Sequence, residues 1–215
     1  MYSHIIWDFN GTILDDVKVG IRSINTLLSR RGLRLIPNRA AYQAVFGFPV
    51  MEYYRRIGLD VDGEGFDALA AEWVAEYEKN RPNATVYDGV RELLDLFASS
   101  CCEQLILSAC EQNLLRQELH ALNLYAYFSE LIGSDNYYGD GKTEAARRWR
   151  NVHPDASVLL IGDTVHDYEV SRILNADCVL TAAGHQNAEQ LRNCGVPVMK
   201  DMHEICEYFF NYHKN

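Results

Sequence analysis

The sequence of 215 residues lacks several features that mark specialised classes of protein. No stretch approaches the ~20 apolar residues of a membrane-spanning helix, so no membrane partner is expected. The N-terminal residues show no basic region and no small-residue cleavage site, so no signal peptide is expected. Basic residues are also few: 20 Lys and Arg stand against 30 Asp and Glu, a formal net charge of −10. This charge argues against a nucleic-acid partner, which would select a basic surface.

Cysteine patterns are missing as well. The six cysteines form no CxxC pair and show no spacing typical of metal ligands, and Cys101 and Cys102 are adjacent, which is poor geometry for a disulfide. Reduced thiols of this kind indicate a cytoplasmic protein. The hydrophobic content of 48 % and the charged content of 23 % are ordinary for a globular chain of this length.

Short apolar runs alternate with amphipathic stretches along most of the chain. The runs that predict buried strands are His4–Phe9, Gln104–Ser108, Glu130–Gly133, Ser157–Gly162 and Asp177–Leu180, with Val196–Met199 as a candidate last strand. The stretches that predict helices are Gly89–Ala98, Glu111–Leu122, Thr143–Arg150, Asp167–Leu174, Ala188–Cys194 and Asp201–Tyr212. This alternation predicts an α/β fold with a parallel sheet covered by helices on both faces.

One region interrupts this alternation. Between Leu14 and Val86 the apolar residues recur at helical spacing, as in Val17, Ile21 and Ile24, and Gly and Pro residues punctuate the pattern. Further helices are predicted near Ala40–Phe46, Val50–Ile57 and Phe66–Tyr77. We therefore expect two domains: an α/β core of residues 1–15 and 85–215, and a helical cap domain of residues 16–84.

Polar residues follow the predicted strands at the edge where parallel α/β sheets bind ligands. Asp8 follows the first strand, Ser108 the second, and Asp163 and Asp167 the fourth, while Lys142 opens a helix. A carboxylate can act as a nucleophile and form an acyl phosphate, provided that a cation screens its approach to an anionic phosphate. Mg²⁺ prefers carboxylate ligands, and an ammonium and a hydroxyl bind the other phosphate oxygens.

Each of these residues has a simpler interpretation when taken alone. Asp8 and Ser108 are ordinary residues to cap a helix, and Lys142 is an ordinary solvated charge. The pair Asp163 and Asp167 could serve only to stabilise the start of the next helix. Their joint occurrence at successive strand ends is what favours a catalytic site.

At this point the segment from Ile5 to Leu14, IIWDFNGTIL, resembles the first motif of the haloacid dehalogenase superfamily, and its phosphoglycolate phosphatase-like members in particular. Ser108, Lys142 and the segment Gly162–Asp167 match the second, third and fourth motifs. The resemblance implies a doubly wound, Rossmann-like parallel sheet core, with a small helical cap domain inserted after the first strand.

The resemblance also implies an activity and a set of site residues. The activity is Mg²⁺-dependent hydrolysis of a small phosphorylated substrate through an aspartyl-phosphate on Asp8. Independently of the resemblance, the protein is expected to be a monomer or homodimer. The implied catalytic residues are Asp8, Asn10, Ser108 and Lys142. The implied substrate-binding residues are Gly11, Thr12, Ser108, Ala109 and Lys142, and the implied metal ligands are Asp8, Asn10, Asp163 and Asp167.

Asn10 departs from the family pattern, because phosphatases of this superfamily carry a second Asp there as a general acid and base. An amide cannot transfer protons, although its backbone carbonyl can still bind a metal. Two hypotheses stay open: a phosphatase with slow breakdown of the phosphoenzyme, or an impaired phosphate-binding or regulatory protein. Asn10→Asp is expected to raise a slow rate by ~10- to ~10⁴-fold. His166 is a candidate substitute for the missing acid.

Further expectations concern charged residues of the helical insert. Asp16 is expected to cap the first helix of the cap, and Arg55 or Arg56 is a candidate to bind a second anionic group of the substrate. Carbon–halogen hydrolysis by the same nucleophile is a poorer hypothesis, since it does not need the metal-binding Asp163.

Overall fold

The computed structural model describes residues 2–134 and 142–212. Its strands are β1 (His4–Trp7), β2 (Leu14–Asp15), β3 (Thr85–Val86), β4 (Glu103–Glu111), β5 (Glu130–Ser134), β6 (Val158–Gly162), β7 (Asp177–Thr181) and β8 (Val198–Met199). Its α-helices are α1 (Val17–Arg30), α2 (Arg39–Val45), α3 (Val50–Arg56), α4 (Val61–Glu64), α5 (Phe66–Asn80), α6 (Val90–Ser99), α7 (Gln112–Ala121), α8 (Lys142–Val152), α9 (Val165–Ile173), α10 (Ala188–Arg192) and α11 (Met202–Tyr212). None of the helices in these ranges combines the length and the apolar character that crossing a lipid bilayer requires.

Six strands form one sheet in the order β5-β4-β1-β6-β7-β8, and each neighbouring pair is parallel. Alternate residues of β1 point to opposite faces, as strand geometry requires. Ile5 and Trp7 pack in a cluster with α6, α7 and α11, whereas Ile6 packs in a second cluster with α8, α9 and α10. Both faces of the sheet are therefore covered, which confirms the predicted doubly wound α/β fold.

The helices α1 to α5 are inserted between β2 and β3, after the first strand of the sheet, as predicted. They share a third hydrophobic cluster, in which Ile24 and Leu69 are fully buried. Strands β2 and β3, where the chain enters and leaves this insert, form a short antiparallel ladder. Leu14 lies opposite Val86, and Asp15 lies opposite Thr85. The division into domains at residues 16 and 84 stays a prediction.

Several element boundaries differ from the sequence expectations. The first strand ends at Trp7 rather than Phe9, because the Phe9 carbonyl accepts the N–H groups of the following turn. Strand β4, which the sequence predicted to end at Ser108, continues to Glu111. The Glu111 side chain caps α7 by accepting from the N–H of Leu114 at 2.9 Å. The helix α9 begins two residues early, at Val165, because Thr164 caps it. Each difference arises from a hydrogen bond at the end of an element rather than from the apolar pattern.

A matched pair of leucines tests the packing of the sheet. Leu160 lies in the middle of β6 and is 1 % exposed, whereas Leu35 is 48 % exposed. Leu160→Ala should lower the free energy of unfolding by about 2–5 kcal/mol, because it leaves a cavity between the sheet and its helices. Leu35→Ala should change it by less than about 0.5 kcal/mol. Urea unfolding of both variants is the measurement, and equal effects would contradict this burial pattern.

Candidate active site

Three neighbouring strands bring the predicted site residues to one edge of the sheet. Strands β4, β1 and β6 are adjacent, and their carboxyl ends lie side by side. Asp8 follows β1, Asp163 follows β6, and Ser108 lies within the second half of β4. All three side chains are buried. The structure therefore brings together residues that lie far apart in the sequence, at the edge where the sequence predicted a site.

Lys142 contacts two of the carboxylates. It is the first residue of α8, and its Nζ lies 2.6 Å from Asp8 Oδ1 and 2.5 Å from Asp167 Oδ1. Burial alone would lower the pKa of Lys142, but the two carboxylates raise that pKa above its usual value. Lys142 is thus a buried ammonium with a carboxylate on each side. The residues just before it, 139–141, lie outside the described part of the chain.

Asp167 holds the loop after β6 in place. Its Oδ2 accepts hydrogen bonds from the N–H groups of Asp163 and Thr164 and from Thr164 Oγ1, at 3.1, 2.9 and 2.7 Å. Burial would raise the pKa of Asp167, but the ammonium of Lys142 outweighs it and lowers that pKa below the usual value. Since Oδ1 binds Lys142, both carboxylate oxygens are already occupied. Asp167 thus contacts Lys142 and the backbone of Asp163 and Thr164. Its expected role as a metal ligand stays a prediction.

Asp163 is held by hydrogen bonds and by two close glycines. The Thr12 hydroxyl lies 3.2 Å from Asp163 Oδ1 and 3.2 Å from Asp8 Oδ2, and the N–H of His185 donates to Asp163 Oδ2 at 2.5 Å. A Cβ atom on Gly184 would lie 2.0 Å from Oδ2, and one on Gly11 would lie 2.4 Å from it. Only glycine allows the backbone to approach this carboxylate so closely.

The cluster of carboxylates has the charge and the donor atoms to hold a divalent cation. One oxygen of each of Asp8, Asp163 and Asp167 lies within 4.8 Å of the others. Burial raises the pKa of Asp8 to about 6 in spite of Lys142, and burial also raises the pKa of Asp163. Three carboxylates beside one ammonium leave two negative charges uncompensated when all are ionised. Hard oxygen ligands with this excess charge fit Mg²⁺.

A second polar network surrounds Asn10. The Asn10 amide donates to Asp16 Oδ2 at 2.9 Å and to the Tyr77 hydroxyl at 2.8 Å, and Tyr77 itself donates to Asp16 Oδ2 at 2.6 Å. His185 Nε2 lies 3.1 Å from Asp16 Oδ1, and His185 Nδ1 lies 2.9 Å from the Tyr42 hydroxyl. Asn10 is therefore a hydrogen-bond donor to a buried carboxylate, a role that an Asp at this position could fill only when protonated.

The charges in this network stabilise each other. Burial would lower the pKa of His185, but Asp16 raises it to about 9. Burial would conversely raise the pKa of Asp16, and His185 lowers that pKa below its usual value. Asp16 and His185 thus form a buried ion pair beside the carboxylate cluster.

The sequence analysis missed the roles of Asp16, Tyr77 and His185. The expected capping role of Asp16 is wrong, because its side chain makes no cap hydrogen bond and instead accepts from the N–H of Gly11 at 3.0 Å. His185 follows β7 by a few residues, so the same strand-end argument that identified Asp163 could have identified it. Nothing in the sequence marked Tyr77, which reaches the site from α5.

A cavity of about 190 Å³ lies above these residues and extends among the helices of the insert. Of the expected substrate-binding residues, Ser108, Ala109 and Lys142 line it. Gly11 and Thr12 are not among its lining residues: the Gly11 N–H donates to Asp16 and to the Leu14 carbonyl, and the Thr12 hydroxyl lies between two carboxylates. Both groups therefore have partners within the protein, and the expected roles of Gly11 and Thr12 in substrate binding stay predictions.

His166 lies at the cavity, whereas Arg55 and Arg56 lie away from it. His166 lines the cavity, with its ring 4.9 Å from that of Phe48 and its Nδ1 3.2 Å from Glu169. Arg55 pairs with Glu52 and Asp62 at the surface, and Arg56 donates to a backbone carbonyl. Neither arginine is among the residues that line the cavity, which corrects their expected role as an anion contact.

Comparisons with known proteins agree with this geometry. An N-acetylmuramic acid 6-phosphate phosphatase from Pseudomonas putida is 22 % identical over 204 residues, covering 92 % of this chain and 91 % of its own. A phosphoglycolate phosphatase from Rhodobacter capsulatus is 25 % identical over 190 residues, covering 85 % of each chain. A haloacid dehalogenase-like family protein from Streptococcus pneumoniae has the same fold, with a TM-score of 0.80 at 18 % identity over 97 % of this chain and 98 % of that one.

The model of the family described as haloacid dehalogenase-like hydrolase matches residues 5–181, most of the chain. This match includes the strand ends that carry Asp8, Ser108 and Asp163, together with Lys142. The resemblance inferred from the four motifs is confirmed, and the chain belongs to the haloacid dehalogenase-like hydrolase family.

Proposed function

We propose that the protein is a Mg²⁺-dependent phosphatase that hydrolyses a small phosphorylated substrate by transferring the phosphoryl group to Asp8. The observation that carries the proposal is the position of the Asp8 carboxylate, at the floor of the cavity and 2.6 Å from the Lys142 ammonium. The two curated relatives, both phosphatases by name, support it at low sequence identity. The six free cysteines support a cytoplasmic location. We further propose that the protein acts as a monomer or homodimer.

Each residue of the site has a distinct part in the proposed reaction. Asp8 attacks phosphorus and must be ionised, and the Lys142 ammonium stabilises that ionised form. The same ammonium and the Ser108 hydroxyl would bind phosphoryl oxygens, since both line the cavity. Asp167 keeps Lys142 in position. Such fixed charges act most strongly where water is excluded, and Asp8, Lys142 and Asp167 are all buried.

The metal would be held by Asp8, Asp163 and the backbone carbonyl of Asn10. When bound, Mg²⁺ supplies the positive charge that screens the repulsion between Asp8 and the phosphate. Thr12 and the N–H of His185 orient the Asp163 carboxylate for this task. We also propose that residues 16–84 act as a cap domain that covers the site, with the β2–β3 ladder as its hinge.

Asn10 supports a second candidate function, an impaired phosphate-binding or regulatory protein. Loss of a general acid and base lowers the reaction rate by ~10²–10⁴-fold. Enzymes that hydrolyse phosphate monoesters accelerate that reaction by up to ~10²¹-fold over the uncatalysed rate. A phosphatase without this group is therefore slow rather than inactive. The step that suffers most is attack of water on the aspartyl-phosphate, so this intermediate should accumulate. We rank hydrolysis first for this reason.

A first experiment tests Asp8 as the nucleophile. Asp8→Asn keeps the shape of the side chain but removes the ionised oxygen, so turnover of an activated ester such as 4-nitrophenyl phosphate should fall by at least ~10³-fold. Asp155→Asn, at an exposed residue, is the matched control and should retain activity. Steady-state kinetics and acid trapping of the phosphoenzyme are the measurements. Undiminished hydrolysis by Asp8→Asn would contradict the assignment of Asp8 as the nucleophile.

A second experiment tests the metal. Chelator should abolish turnover, and added Mg²⁺ should restore it, because the excess negative charge of the carboxylates needs a cation. Asp163→Asn should raise the Mg²⁺ concentration for half-maximal activity by about tenfold or more. Titration of activity with Mg²⁺ is the measurement for both proteins. Full activity in excess chelator, or an unchanged Mg²⁺ requirement, would show that the metal assignment is wrong.

A third experiment tests the environment of Asn10. Asn10→Asp would place a second carboxylate against Asp16, so it should lower the free energy of unfolding by about 1–3 kcal/mol at pH 8. Repulsion by Asp16 raises the folded pKa of the new carboxyl above its unfolded pKa. The loss of stability is therefore fully present above the folded pKa and disappears as pH falls through the folded pKa to below the unfolded pKa. The measurement is urea unfolding at pH 8 and pH 5.

The control for this experiment is Asn38→Asp. Asn38 caps α2 by accepting the N–H of Ala41, and an aspartate can accept the same bond, so little change is expected. An equal loss at both pH values for Asn10→Asp would contradict the like-charge explanation. The rate increase expected for Asn10→Asp stays a prediction, and the same variant can be assayed for it.

A further inference from the structure

We propose that the cavity above Asp8 binds an aromatic leaving group without a second charge, so that the preferred substrates are phosphate monoesters of phenols. This inference deepens the proposed function and rests on it. Five observations carry it: the aromatic wall, the size of the cavity, the distribution of charge, two unpaired buried polar atoms, and the amide at position 10.

The wall of the cavity is formed mainly by aromatic side chains of the insert. Six of them line it together with Tyr42 and Tyr77, namely Phe46, Phe48, Tyr53, Tyr54, Phe66 and Trp73. The Phe46 ring lies 5.8 Å from the Phe48 ring and 5.2 Å from the Tyr53 ring, in edge-to-face arrangements. An aromatic ligand adds favourable stacked or edge-on contacts to such a wall, beyond the burial of its apolar area.

The size of the cavity suits one ring. Its volume is about 190 Å³. An apolar cavity of about 150 Å³ can hold one benzene molecule, so a single ring and a phosphoryl group use most of the available space. A nucleotide or a disaccharide would have to extend beyond the cavity.

The charges around the cavity disfavour a second anionic group. Lys142 is the one Lys or Arg among the described residues that line it, and Lys142 already contacts Asp8 and Asp167. Glu78 and Glu111 also line it. Among the described residues, the cations that line the cavity are Lys142 and His185, and both already contact carboxylates. A substrate such as phosphoglycolate would therefore find no unpaired cation among them for its carboxylate.

Two buried polar atoms indicate that the ring carries a polar, uncharged substituent. Within the described residues, the Tyr53 hydroxyl and His166 Nε2 have no hydrogen-bond partner. Tyr53 is 3 % exposed, and both residues line the cavity. An unpaired buried polar group is costly, so a ligand that donates to or accepts from it gains affinity. A hydroxyl or amide on the ring would meet this requirement.

The amide of Asn10 favours a phenol as the leaving group. The oxygen–phosphorus bond of the substrate breaks as Asp8 bonds to phosphorus, and the electron pair stays on the leaving oxygen. Asn10 offers no proton to that oxygen. A phenol has a pKa of about 10, against about 15.7 for water, so a phenolate leaves without protonation far more easily than an alkoxide. Water then attacks the aspartyl-phosphate, regenerates the Asp8 carboxylate and gives dihydrogen phosphate, which passes a proton to the phenolate.

Binding of inert phosphonates to the wild-type protein with Mg²⁺ tests the inference without turnover. Phenylphosphonate should bind about ten- to hundredfold more tightly than phosphonoacetate, because it fits the aromatic wall and carries no second charge. Cyclohexylphosphonate, of similar size, should bind more weakly than phenylphosphonate. Isothermal titration calorimetry measures all three. Tighter binding of phosphonoacetate, or equal binding of the two ring compounds, would overturn the inference.

A matched pair of variants locates the binding. Phe46→Leu keeps an apolar side chain in the wall but removes its ring, so the preference for phenylphosphonate over cyclohexylphosphonate should fall by about three- to tenfold. Phe210→Leu, in α11 at an exposed residue away from the cavity, should leave the preference unchanged. An unchanged preference in Phe46→Leu, with its fold intact by thermal unfolding, would contradict the assignment. If that variant does not fold, the wild-type series decides.

Measurements of ester hydrolysis distinguish a failure of the aromatic specificity from a failure of the proposed phosphatase function. With Mg²⁺, phenyl phosphate should show a higher kcat/KM than cyclohexyl phosphate and phosphoglycolate. Hydrolysis of phosphoglycolate in preference to phenyl phosphate would overturn the aromatic specificity and leave the phosphatase intact. Selective binding of phenylphosphonate without hydrolysis of any ester would support the aromatic site and overturn the proposed function.

Discussion

The contact of the Lys142 ammonium with two buried carboxylates is the interaction on which the rest of the site depends. It joins the residue after β1, the start of α8 and the first turn of α9. Removing one partner from such a group leaves an uncompensated charge in the interior, at a cost of about 3–5 kcal/mol. In the proposed mechanism this constraint has a use, because it keeps a charged nucleophile in a place that water reaches poorly. The carboxyl edge of the sheet provides a rigid support that holds these buried charged groups in contact.

Around this contact the negative charge exceeds the positive charge. The two polar networks of the site, one around Asp16 and one around Asp8, differ in whether their charges are balanced within the protein. The Asp16–His185 pair is balanced within the protein, and it needs nothing from solution. The cluster of Asp8, Asp163 and Asp167 is not balanced by Lys142 alone. The proposed Mg²⁺ would balance this cluster, next to the Asp16–His185 pair, which is already neutral as a whole.

The sequence predicted the sheet, the helical insert and the strand-end residues because these follow from local rules. Apolar periodicity marks elements, and parallel strands bring their carboxyl ends together, which was enough to find Asp8, Ser108 and Asp163. Tyr77 and Asp16 were not predictable in this way. Their contact joins residues 61 positions apart, and it depends on the path of α5, which no local pattern specifies. The same limit applies to the arginines of α3, whose partners lie on the surface.

The path of α5 has a consequence for how such a protein can diverge. Tyr77 belongs to the helical insert but completes the hydrogen bonds of Asn10 and Asp16, which belong to the chain segment after β1. The insert is thus not an independent cassette that a recombination event could exchange without loss. A transplanted insert would have to bring a hydroxyl to the same place, or leave an amide and a carboxylate unsatisfied in the interior. Position 77 and position 10 are therefore expected to be inherited together.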